Sequence, residues 1–426
     1  MSNIGAEMHE VITRLFPICR SITGDGVRET LRIIQEQIPV EVHEVPSGTK
    51  VFDWTVPREW NIRDAWIKNA AGERLVDFQE LNLHVVSYSS PIHRRMKLAE
   101  LRDHLFTVPA QPDWVPYRTT YYDESWGFCL SERQLERLNA EEEYDVCVES
   151  SLEDGHLTYG ELLLRGELAD EVLISCHICH PSLADDNLSG IALALELAKS
   201  LTRSSHRYSY RFLFVPGTIG AITWLARNEP VAKRVRFGLV LTCVGDERHI
   251  TYKRSRQGDA EIDRACAHVL KHSGEPYEVI DFVPYGYDER QYCSPGFNLP
   301  VGCFMRGRHG EFPEYHTSAD NPQFVKAGAL ADSLAKCQAV IDLLENNRTY
   351  LNQNPKCEPQ LGKRGLYSGQ ANLEDKRRRD LALLWVLNLS DGENSLLDIA
   401  ERANLPFAVI KEAVVALATT DLLVER

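Results

Sequence analysis

Val172-Leu-Ile-Ser-Cys-His-Ile-Cys-His-Pro-Ser-Leu-Ala-Asp-Asp-Asn-Leu-Ser-Gly190 joins a buried-strand pattern to a cluster of potential metal ligands. The apolar run at its start predicts a strand, and His177 and His180 follow at the carboxyl end of that strand. Two aspartates, of which Asp186 is the second, then precede an apolar helix that Asn187 opens. Ligands of open α/β sheets bind beyond the carboxyl ends of the strands. These imidazole and carboxylate groups therefore predict a zinc site at that edge.

This segment lies in a region where strand and helix patterns alternate. Short apolar runs at 172–176, 211–215 and 237–241 predict strands, and the apolar residues of 188–201 predict a helix after the first of them. A further predicted helix at 325–344 closes the region. The alternation predicts an α/β fold, with a mixed sheet flanked by helices.

The chain before this region changes from a helical to a β-rich pattern near residue 52. The runs 144–149 and 157–164 predict a hairpin that Glu153-Asp154-Gly155 would connect. We therefore predict a small β-rich domain at 53–154, inserted into the α/β domain. Its aromatic residues are expected to pack its own core, with the second possibility that some of them wall the site. They are Trp54, Trp60, Trp66, Trp114, Tyr117, Tyr121, Tyr122 and Trp126.

The C-terminal region has a helical pattern of its own. Residues 346–369 are rich in Asn, Gln, Pro, Gly and Lys, which predicts a linker. Three helices and a final strand, typical of a winged helix, are predicted after it, at 376–389, 395–403, 406–417 and 422–424. The predicted domains are thus an α/β domain at 1–52 and 155–350, the inserted domain at 53–154 and a winged helix-turn-helix domain at 365–426.

Composition and charge restrict the class of protein. The chain has 426 residues with 47 Lys and Arg against 62 Asp and Glu, and its formal net charge is −15. That charge argues against a protein that binds nucleic acid or anionic lipid over its whole surface. No apolar run reaches the roughly 18–20 residues of a membrane span, and the start of the chain lacks the pattern of a secretory signal. Because the eleven scattered cysteines also suit reduced thiols, we expect a cytoplasmic protein without membrane association.

The pattern of potential ligands resembles that of the M28-type zinc aminopeptidases. In that family the first ligand histidine ends an apolar strand, as His177 does. The bridging aspartate lies in a motif matched by Ala184-Asp-Asp-Asn-Leu-Ser-Gly190, which gives that role to Asp186. The last ligand histidine lies in a motif matched by Tyr315-His-Thr-Ser-Ala-Asp320, at His316. The resemblance implies a zinc peptidase fold.

Further motifs resemble a narrower bacterial group, whose members are often named for polysaccharide biosynthesis and carry an aminopeptidase-like domain. The M28-like pattern covers roughly 170–345, whereas the group also matches Phe52-Asp-Trp-Thr-Val-Pro-Arg-Glu-Trp60, Cys176-His-Ile-Cys-His-Pro-Ser182 and 216–220. In that group a small β-rich domain is inserted into the peptidase fold and a winged helix follows. The resemblance therefore implies the same three modules as the pattern of elements does.

Several positions depart from the M28 pattern. Gly217 and Thr218 stand where M28 enzymes carry a Glu-Glu pair, whose first member is the general base and whose second is a metal ligand. Cys243 aligns with an aspartate that binds the second metal, and Cys179 with the aspartate that supports the first histidine. The resemblance thus implies one zinc ion rather than two. The implied ligands are His177, Asp186 and His316, with His180 as an additional donor.

Amide hydrolysis also requires a base and groups that bind the substrate. Tyr287-Asp-Glu-Arg-Gln-Tyr292 aligns with the Ser-Asp-His block of M28 enzymes. Within it, Glu289 is the predicted base and Asp288 a second catalytic carboxylate. Arg290 and Tyr287 are predicted to bind an anionic or sugar-like substrate. The alternatives for the base are Glu311 and Glu314.

The leading hypothesis is a zinc-dependent hydrolase that acts on an amide bond of a small peptide-like, amino-acid-derived or sugar-derived substrate. A second hypothesis is a catalytically silent peptidase fold that binds a ligand or partner, and a third is a regulator linked to DNA through the winged helix. The basic run 376–379 favours nucleic acid, but the predicted recognition helix offers only Lys411 and Glu412 among apolar neighbours. We therefore expect self-association or a protein partner at this domain rather than nucleic acid.

Overall fold

The computed structural model describes residues 4–367 and 373–426. The described chain divides into two compact units: one runs to Gly258 and resumes at Glu278–Leu334, and the other comprises Asp259–Tyr277 and Ala335–Arg426. The helices are α1 (Ile4–Leu15), α2 (Asp25–Gln35), α3 (Leu98–Leu101), α4 (Glu132–Glu136), α5 (Gly190–Thr202), α6 (Ile219–Arg227), α7 (Glu229–Ala232), α8 (Glu261–Lys271), α9 (Glu289–Tyr292), α10 (Ala327–Asn346), α11 (Leu373–Leu389), α12 (Leu396–Ala403) and α13 (Phe407–Ala418). The strands are β1 (Glu41–Pro46), β2 (Lys50–Val51), β3 (Trp54–Thr55), β4 (Glu59–Lys68), β5 (Arg74–Asp77), β6 (Ile92–Lys97), β7 (Leu105–Phe106), β8 (Phe128–Cys129), β9 (Glu143–Glu153), β10 (His156–Leu164), β11 (Glu171–His177), β12 (Ser209–Val215), β13 (Val235–Leu241), β14 (Ile250–Lys253), β15 (Tyr277–Ile280), β16 (Val301–Met305), β17 (Thr349–Asn352), β18 (Asp391–Ser395) and β19 (Leu423–Glu425).

An eight-stranded mixed sheet organises the first unit, with the strand order β1-β10-β12-β11-β13-β16-β14-β15. Its centre is parallel, because β11 pairs in parallel with β12 and β13, and β13 with β16. Toward the edges, β10 runs antiparallel to β12 and β1, and β14 antiparallel to β16. The predicted fold class, a mixed sheet flanked by helices, is confirmed.

The central strands are buried on both faces, which explains their continuous apolar sequences. Every residue of β11 and β12 is buried, and so is nearly all of α5. The predicted strand at 172–176 and helix at 188–201 therefore lie where the sequence placed them, within one or two residues at each end. His177 consequently stands at the carboxyl end of β11, next to Val215 at the end of β12.

A second, four-stranded sheet with the order β5-β4-β9-β6 is built from the β-rich part of the sequence. Its own core includes Tyr144, Phe128 and Val146. The predicted hairpin of 144–149 and 157–164 is wrong: β9 pairs with β4 and β6, whereas β10 belongs to the large sheet. The turn at 153–155 connects the two strands, but their apolar side chains are buried in different cores: Tyr144 and Val146 of β9 pack in the core of the small sheet, whereas Leu157 of β10 packs in another.

The C-terminal unit contains a three-stranded sheet of order β18-β17-β19 with helices α11, α12 and α13. The three predicted helices and the final strand are present there. The predicted linker at 346–369 is wrong for its first part, because Thr349–Asn352 forms the central strand of this sheet. Those four residues pair only with strands distant in sequence, so local composition did not reveal them. Residues 368–372 lie outside the described residues, and both the end of the predicted linker and part of the start of the predicted winged-helix domain fall there.

Across residues 4–367 and 373–426, no helix has both the length and the apolar character that a bilayer span requires.

Candidate metal centre

The loop after β11 is held rigidly against the sheet. The turn at Ala184–Ser189 contains two residues with non-helical backbone angles, Asp186 and Asn187. The amide of Asn187 donates hydrogen bonds to the carbonyl oxygens of His177 and Leu241, at 3.3 and 3.0 Å. These bonds tie the loop to the ends of β11 and β13, and the backbone turns there so that Asp186 faces the end of the sheet.

The four residues predicted as metal ligands come together at this point. Asp186 Oδ1 lies 2.8 Å from His177 Nε2, and Asp186 Oδ2 lies 3.0 Å from His316 Nε2 and 3.2 Å from His180 Nδ1. Ligand atoms of His177, His180 and Asp186 lie within 4.8 Å of one another. Imidazole nitrogens around a carboxylate are the donors that zinc prefers. The residues present therefore fit a zinc ion.

Charge and burial prepare these side chains for metal binding. Burial lowers the pKa of His177 to about 3, and burial also lowers the pKa of His316. Burial alone would raise the pKa of Asp186, but His180 and His177 outweigh it and hold that pKa well below its usual range. For His180 the order is reversed, since burial lowers its pKa and Asp186 raises it by more. A carboxylate and two neutral imidazoles, the forms that bind metal, therefore prevail at neutral pH.

Asp320 fixes the carboxylate of this centre from behind. Its Oδ1 accepts a hydrogen bond from the backbone N–H of Asp185 at 2.6 Å, and its Oδ2 accepts one from that of Asp186 at 3.0 Å. Burial raises the pKa of Asp320 to about 7. The sequence motif contained Asp320, but it was not predicted as a site residue, because a supporting bond to backbone amides leaves no pattern in the sequence.

Tyr287 occupies the space beside Gly217. Its ring stacks on that of His177, with a centroid distance of 3.6 Å. Its hydroxyl hydrogen-bonds with His180 Nε2 at 3.1 Å and lies 3.4 Å from Cys179 Sγ. A Cβ atom at Gly217 would lie only 1.9 Å from Cε1 of this ring. Burial raises the pKa of Tyr287 well above its usual range, so the hydroxyl keeps its proton.

The predicted catalytic carboxylates lie close behind Tyr287. Glu289 is fully buried, pairs with Lys253 and accepts a hydrogen bond from the backbone N–H of Tyr287 at 3.1 Å. Asp288 is also fully buried, and neither of its oxygens has a hydrogen-bond partner within the described residues. Burial raises the pKa of Asp288 well above its usual range, and the Glu289 charge adds to that effect. Within the described residues, neither carboxylate forms a hydrogen bond or ion pair with a predicted metal ligand.

The other residues predicted for binding and catalysis have no hydrogen bond or ion pair with the metal ligands among the described residues. Arg290 is half-buried, and its Nε has no hydrogen-bond partner among the residues that the structure describes. Glu314 pairs with Arg248, and Glu311 with Arg308, each at 3.2 Å. These ion pairs place both alternative bases in surface contacts.

Two aromatic side chains that were not predicted as site residues also contact the centre. The backbone N–H of Tyr117 donates to the carbonyl oxygen of His316 at 2.7 Å, and the ring of Tyr117 lies 5.1 Å from that of His180. Buried His309 stacks on Tyr287 with a centroid distance of 5.7 Å. Tyr117 belongs to the aromatic set for which a role in walling the site was the second possibility. His309 lies in a polar loop without periodicity, so no signal marked it.

Comparisons with known proteins agree with this architecture. Residues 9–347 match the family described as Domain of unknown function (DUF4910), and residues 348–425 match a winged helix-turn-helix family. A Clostridium acetobutylicum protein, described as a polysaccharide biosynthesis protein with an aminopeptidase-like domain, is 54% identical over 422 residues. The match covers 99% of this chain and 97% of that relative.

Solved structures show the same fold. A crystal structure described as a peptidase from Clostridium acetobutylicum has a TM-score of 0.95 at 54% identity, and the match covers 99% of this chain and 96% of that one. BSAP, a zinc aminopeptidase from Bacillus subtilis, has a TM-score of 0.57 at 13% identity, with coverage of 79% and 94%. At that identity the likeness shows the fold alone. The resemblance inferred from the motifs is thereby confirmed, and the fold is aminopeptidase-like.

Proposed function

This chain belongs to the DUF4910 family, whose match covers residues 9–347, and on that premise we propose that it is a zinc-dependent hydrolase of an amide bond. The substrate would be a small peptide-like, amino-acid-derived or sugar-derived molecule. One observation carries the proposal: His177, His180 and His316 surround the carboxylate of Asp186 at the carboxyl end of β11. The zinc aminopeptidase named above has the same fold, and the name of the 54% identical relative associates it with polysaccharide biosynthesis.

Zinc would be held by His177, Asp186 and His316, with His180 as a further donor or as a group that orients Asp186. A zinc ion bound there would polarise the amide carbonyl and lower the pKa of a bound water to about 7. Asp320 keeps Asp186 in place through the two backbone N–H groups that it accepts. His316 is the most exposed of the ligands, with 31% of its side chain accessible, so the substrate would approach from its side.

Tyr287 and His180 are the groups that we assign to proton handling. The Tyr287 hydroxyl stays protonated and lies 3.1 Å from His180 Nε2, so it can donate a hydrogen bond to the reacting amide while His180 accepts the proton that the attacking water gives up. The ion pair of Glu289 with Lys253, and its bond to the Tyr287 N–H, favour a positioning role for this carboxylate. Substrate binding by Arg290 remains part of the proposal.

Metal content tests this proposal before any substrate is known. We expect the purified wild-type chain to contain about one zinc ion per molecule by mass spectrometry, and Asp186→Ala to lose it. His93→Ala is the matched control, because this histidine lies on the β-rich sheet with 64% of its side chain exposed. Tyr287→Phe should keep its zinc but hydrolyse aminoacyl anilides at least about 100-fold more slowly. A wild-type chain without zinc, or equal zinc in Asp186→Ala, would contradict the proposal.

A catalytically silent binding protein is the second candidate, and one observation favours it. The Tyr287 ring fills the space beside Gly217, at the position where the M28 resemblance places the glutamate base. Zinc-loaded protein that hydrolyses no amide in a broad panel of anilides and N-acyl amino acids would favour this candidate.

A further inference from the structure

An exposed cleft of the first unit has aromatic walls, and we call it the aromatic groove. It is lined by the β2–β3 turn, by α6 and by the segment that begins at α9, and its volume is about 410 Å³. That volume suits a small-molecule site. The lining residues that matter here are Phe52, Asp53, Trp54, Glu229, Gln291 and Phe297.

Two aromatic side chains of the groove are exposed to solvent, although exposure of an apolar ring does not stabilise the fold. Phe52 is 52% exposed and Trp54 is 45% exposed. Phe52 also adopts a φ of 54° in the two-residue turn between β2 and β3, a conformation that favours glycine. The Phe52 ring meets Phe297 edge-on, with a centroid distance of 5.8 Å. Neither core packing nor turn preference explains aromatic residues here, whereas contact with a ligand does.

Polar groups at the groove define the chemistry of its occupant. The side chains of Asp53, Glu229 and Gln291 have no hydrogen bond or ion pair within the described residues. Two of them are carboxylates, which only accept hydrogen bonds when ionised, and the groove lining contains no Lys or Arg among the residues that the structure describes. The occupant therefore carries no negative charge, donates several hydrogen bonds and presents a flat apolar face to an aromatic ring.

We propose that the aromatic groove binds a neutral pyranose ring of a carbohydrate. Hydroxyl groups around such a ring donate to the carboxylates and the amide, while its C–H face stacks on Trp54 or Phe52. This binding does not depend on the hydrolytic reaction proposed above.

Ring contacts connect the groove to the metal centre. Trp54 contacts Tyr122 with a centroid distance of 5.4 Å, and Tyr122 contacts Tyr121 at 6.5 Å. The hydroxyl of Tyr121 hydrogen-bonds with that of Tyr117 at 2.8 Å, and Tyr117 contacts the ring of His316 at 5.0 Å. A saccharide bound at Trp54 would therefore lie at the start of a continuous aromatic wall that ends at the candidate ligands.

Direct binding measurements on the full chain test the groove. The probes are cellobiose, maltose and N,N′-diacetylchitobiose, and their binding is measured by saturation-transfer NMR and calorimetry. We expect at least one to bind saturably, Trp54→Ala to weaken that binding at least tenfold, and Asp53→Asn to weaken it less. Tyr277→Ala is the matched control, because this tyrosine is 40% exposed but lies outside the groove. Binding should persist after zinc is removed with a chelator, which separates this result from the hydrolase proposal.

Three results would overturn the inference. The first is the absence of saturable binding for all three disaccharides, with circular dichroism showing folded protein. The second is unchanged binding in both Trp54→Ala and Phe52→Ala. The third is displacement of the sugar by phenylalaninamide bound more tightly than any disaccharide, which would assign the groove to an aromatic amine instead.

Discussion

The Tyr287 ring fills the space that a side chain at position 217 would need, which explains why a glycine stands where M28 enzymes have a glutamate. From the sequence alone, we interpreted Gly217 as the loss of the general base. In the structure the ring of Tyr287 occupies that volume and presents its hydroxyl to His180. Because the two positions are 70 residues apart in the sequence, their compensation was not visible there. Restoring a carboxylate at 217 would displace the tyrosine that stacks on His177.

A double-mutant cycle measures this shared volume. Gly217→Ala should lower the free energy of unfolding by about 1–3 kcal/mol, because its Cβ would overlap the Tyr287 ring. In a Tyr287→Ala background the same change should cost less than about 1 kcal/mol, since the ring is gone. Urea unfolding of the four proteins gives the coupling. Gly328→Ala is the control, because a methyl group at that position would meet no atom of the described residues within 4 Å. Equal costs of Gly217→Ala in both backgrounds would show that the volume is not shared.

Asp320 offers a test of metal positioning that needs no substrate. Asp320→Asn replaces one acceptor oxygen with an NH₂ group, so one of the two backbone N–H groups of Asp185 and Asp186 loses its partner. We expect zinc affinity to fall about 10–100-fold, as measured by competition with a chromogenic chelator. Glu311→Gln, a change at an exposed carboxylate of the nearby loop, should leave the affinity unchanged. Unaltered affinity in Asp320→Asn would mean that Asp186 is held without this support.

At the scale of elements, the sequence predicted what local patterns encode. The apolar runs of β11 and β12 and the helices of the C-terminal unit were predicted within a few residues, because burial on both faces and helical periodicity are local signals. The pairing of β9 with β4 and the strand β17 were missed, because their partners lie far away in the sequence. The cluster of His177, Asp186 and His316 was predicted through the resemblance. Tyr117 and His309 were missed, because no sequence motif links them to the cluster and only the folded structure shows their ring contacts there.

An ion pair between α2 and β4 predicts an acid-sensitive contribution to stability. Arg28 of α2 binds both carboxylate oxygens of Glu59 at the start of β4, at 2.7 and 2.6 Å. Hydrogen bonding to Arg28 lowers the pKa of Glu59 from 4.5 to about 2, despite the opposing effect of burial. Because the pKa is lower in the folded chain, the contribution is complete above about pH 4.5 and disappears as the pH falls toward 2.

Glu59→Gln should therefore lower the free energy of unfolding by about 2 kcal/mol at pH 7, a value reduced for partial solvent screening. The difference between variant and wild type should shrink between pH 4.5 and pH 2. Urea titrations at several pH values measure it. Glu73→Gln, at a 60% exposed carboxylate with a 3.6 Å pair to Arg137 and an exposed hydrogen bond from Asn69, should change stability by less than about 0.5 kcal/mol at every pH. A Glu59→Gln effect that does not vary with pH would exclude the ion pair as its source.

At the scale of the whole molecule, charge and surface argue against DNA as the partner of the winged helix. The net charge is −15, and the one lysine of α13, Lys411, forms an ion pair with Asp342 at 2.7 Å. The exposed apolar residues of this unit are more prominent, because Val415 of α13 is 58% exposed and Leu381 of α11 is 44% exposed. A surface of that kind is typical of a protein contact.

We expect the full chain to bind a random-sequence DNA duplex no more tightly than about 10⁻⁶ M at physiological salt, the range of non-specific binding. Fluorescence anisotropy measures this, and replacing Arg377 and Arg378 by alanine should change nothing, because these exposed side chains form a solvated face. Sedimentation equilibrium should instead show concentration-dependent self-association that Val415→Asp weakens, since the new charge would be desolvated in an apolar contact. Tight DNA binding that falls steeply with salt and is lost in the double arginine variant would reverse this assignment. That result would show that the C-terminal unit binds its partner through the basic run at the start of α11 and not through the apolar face of α13.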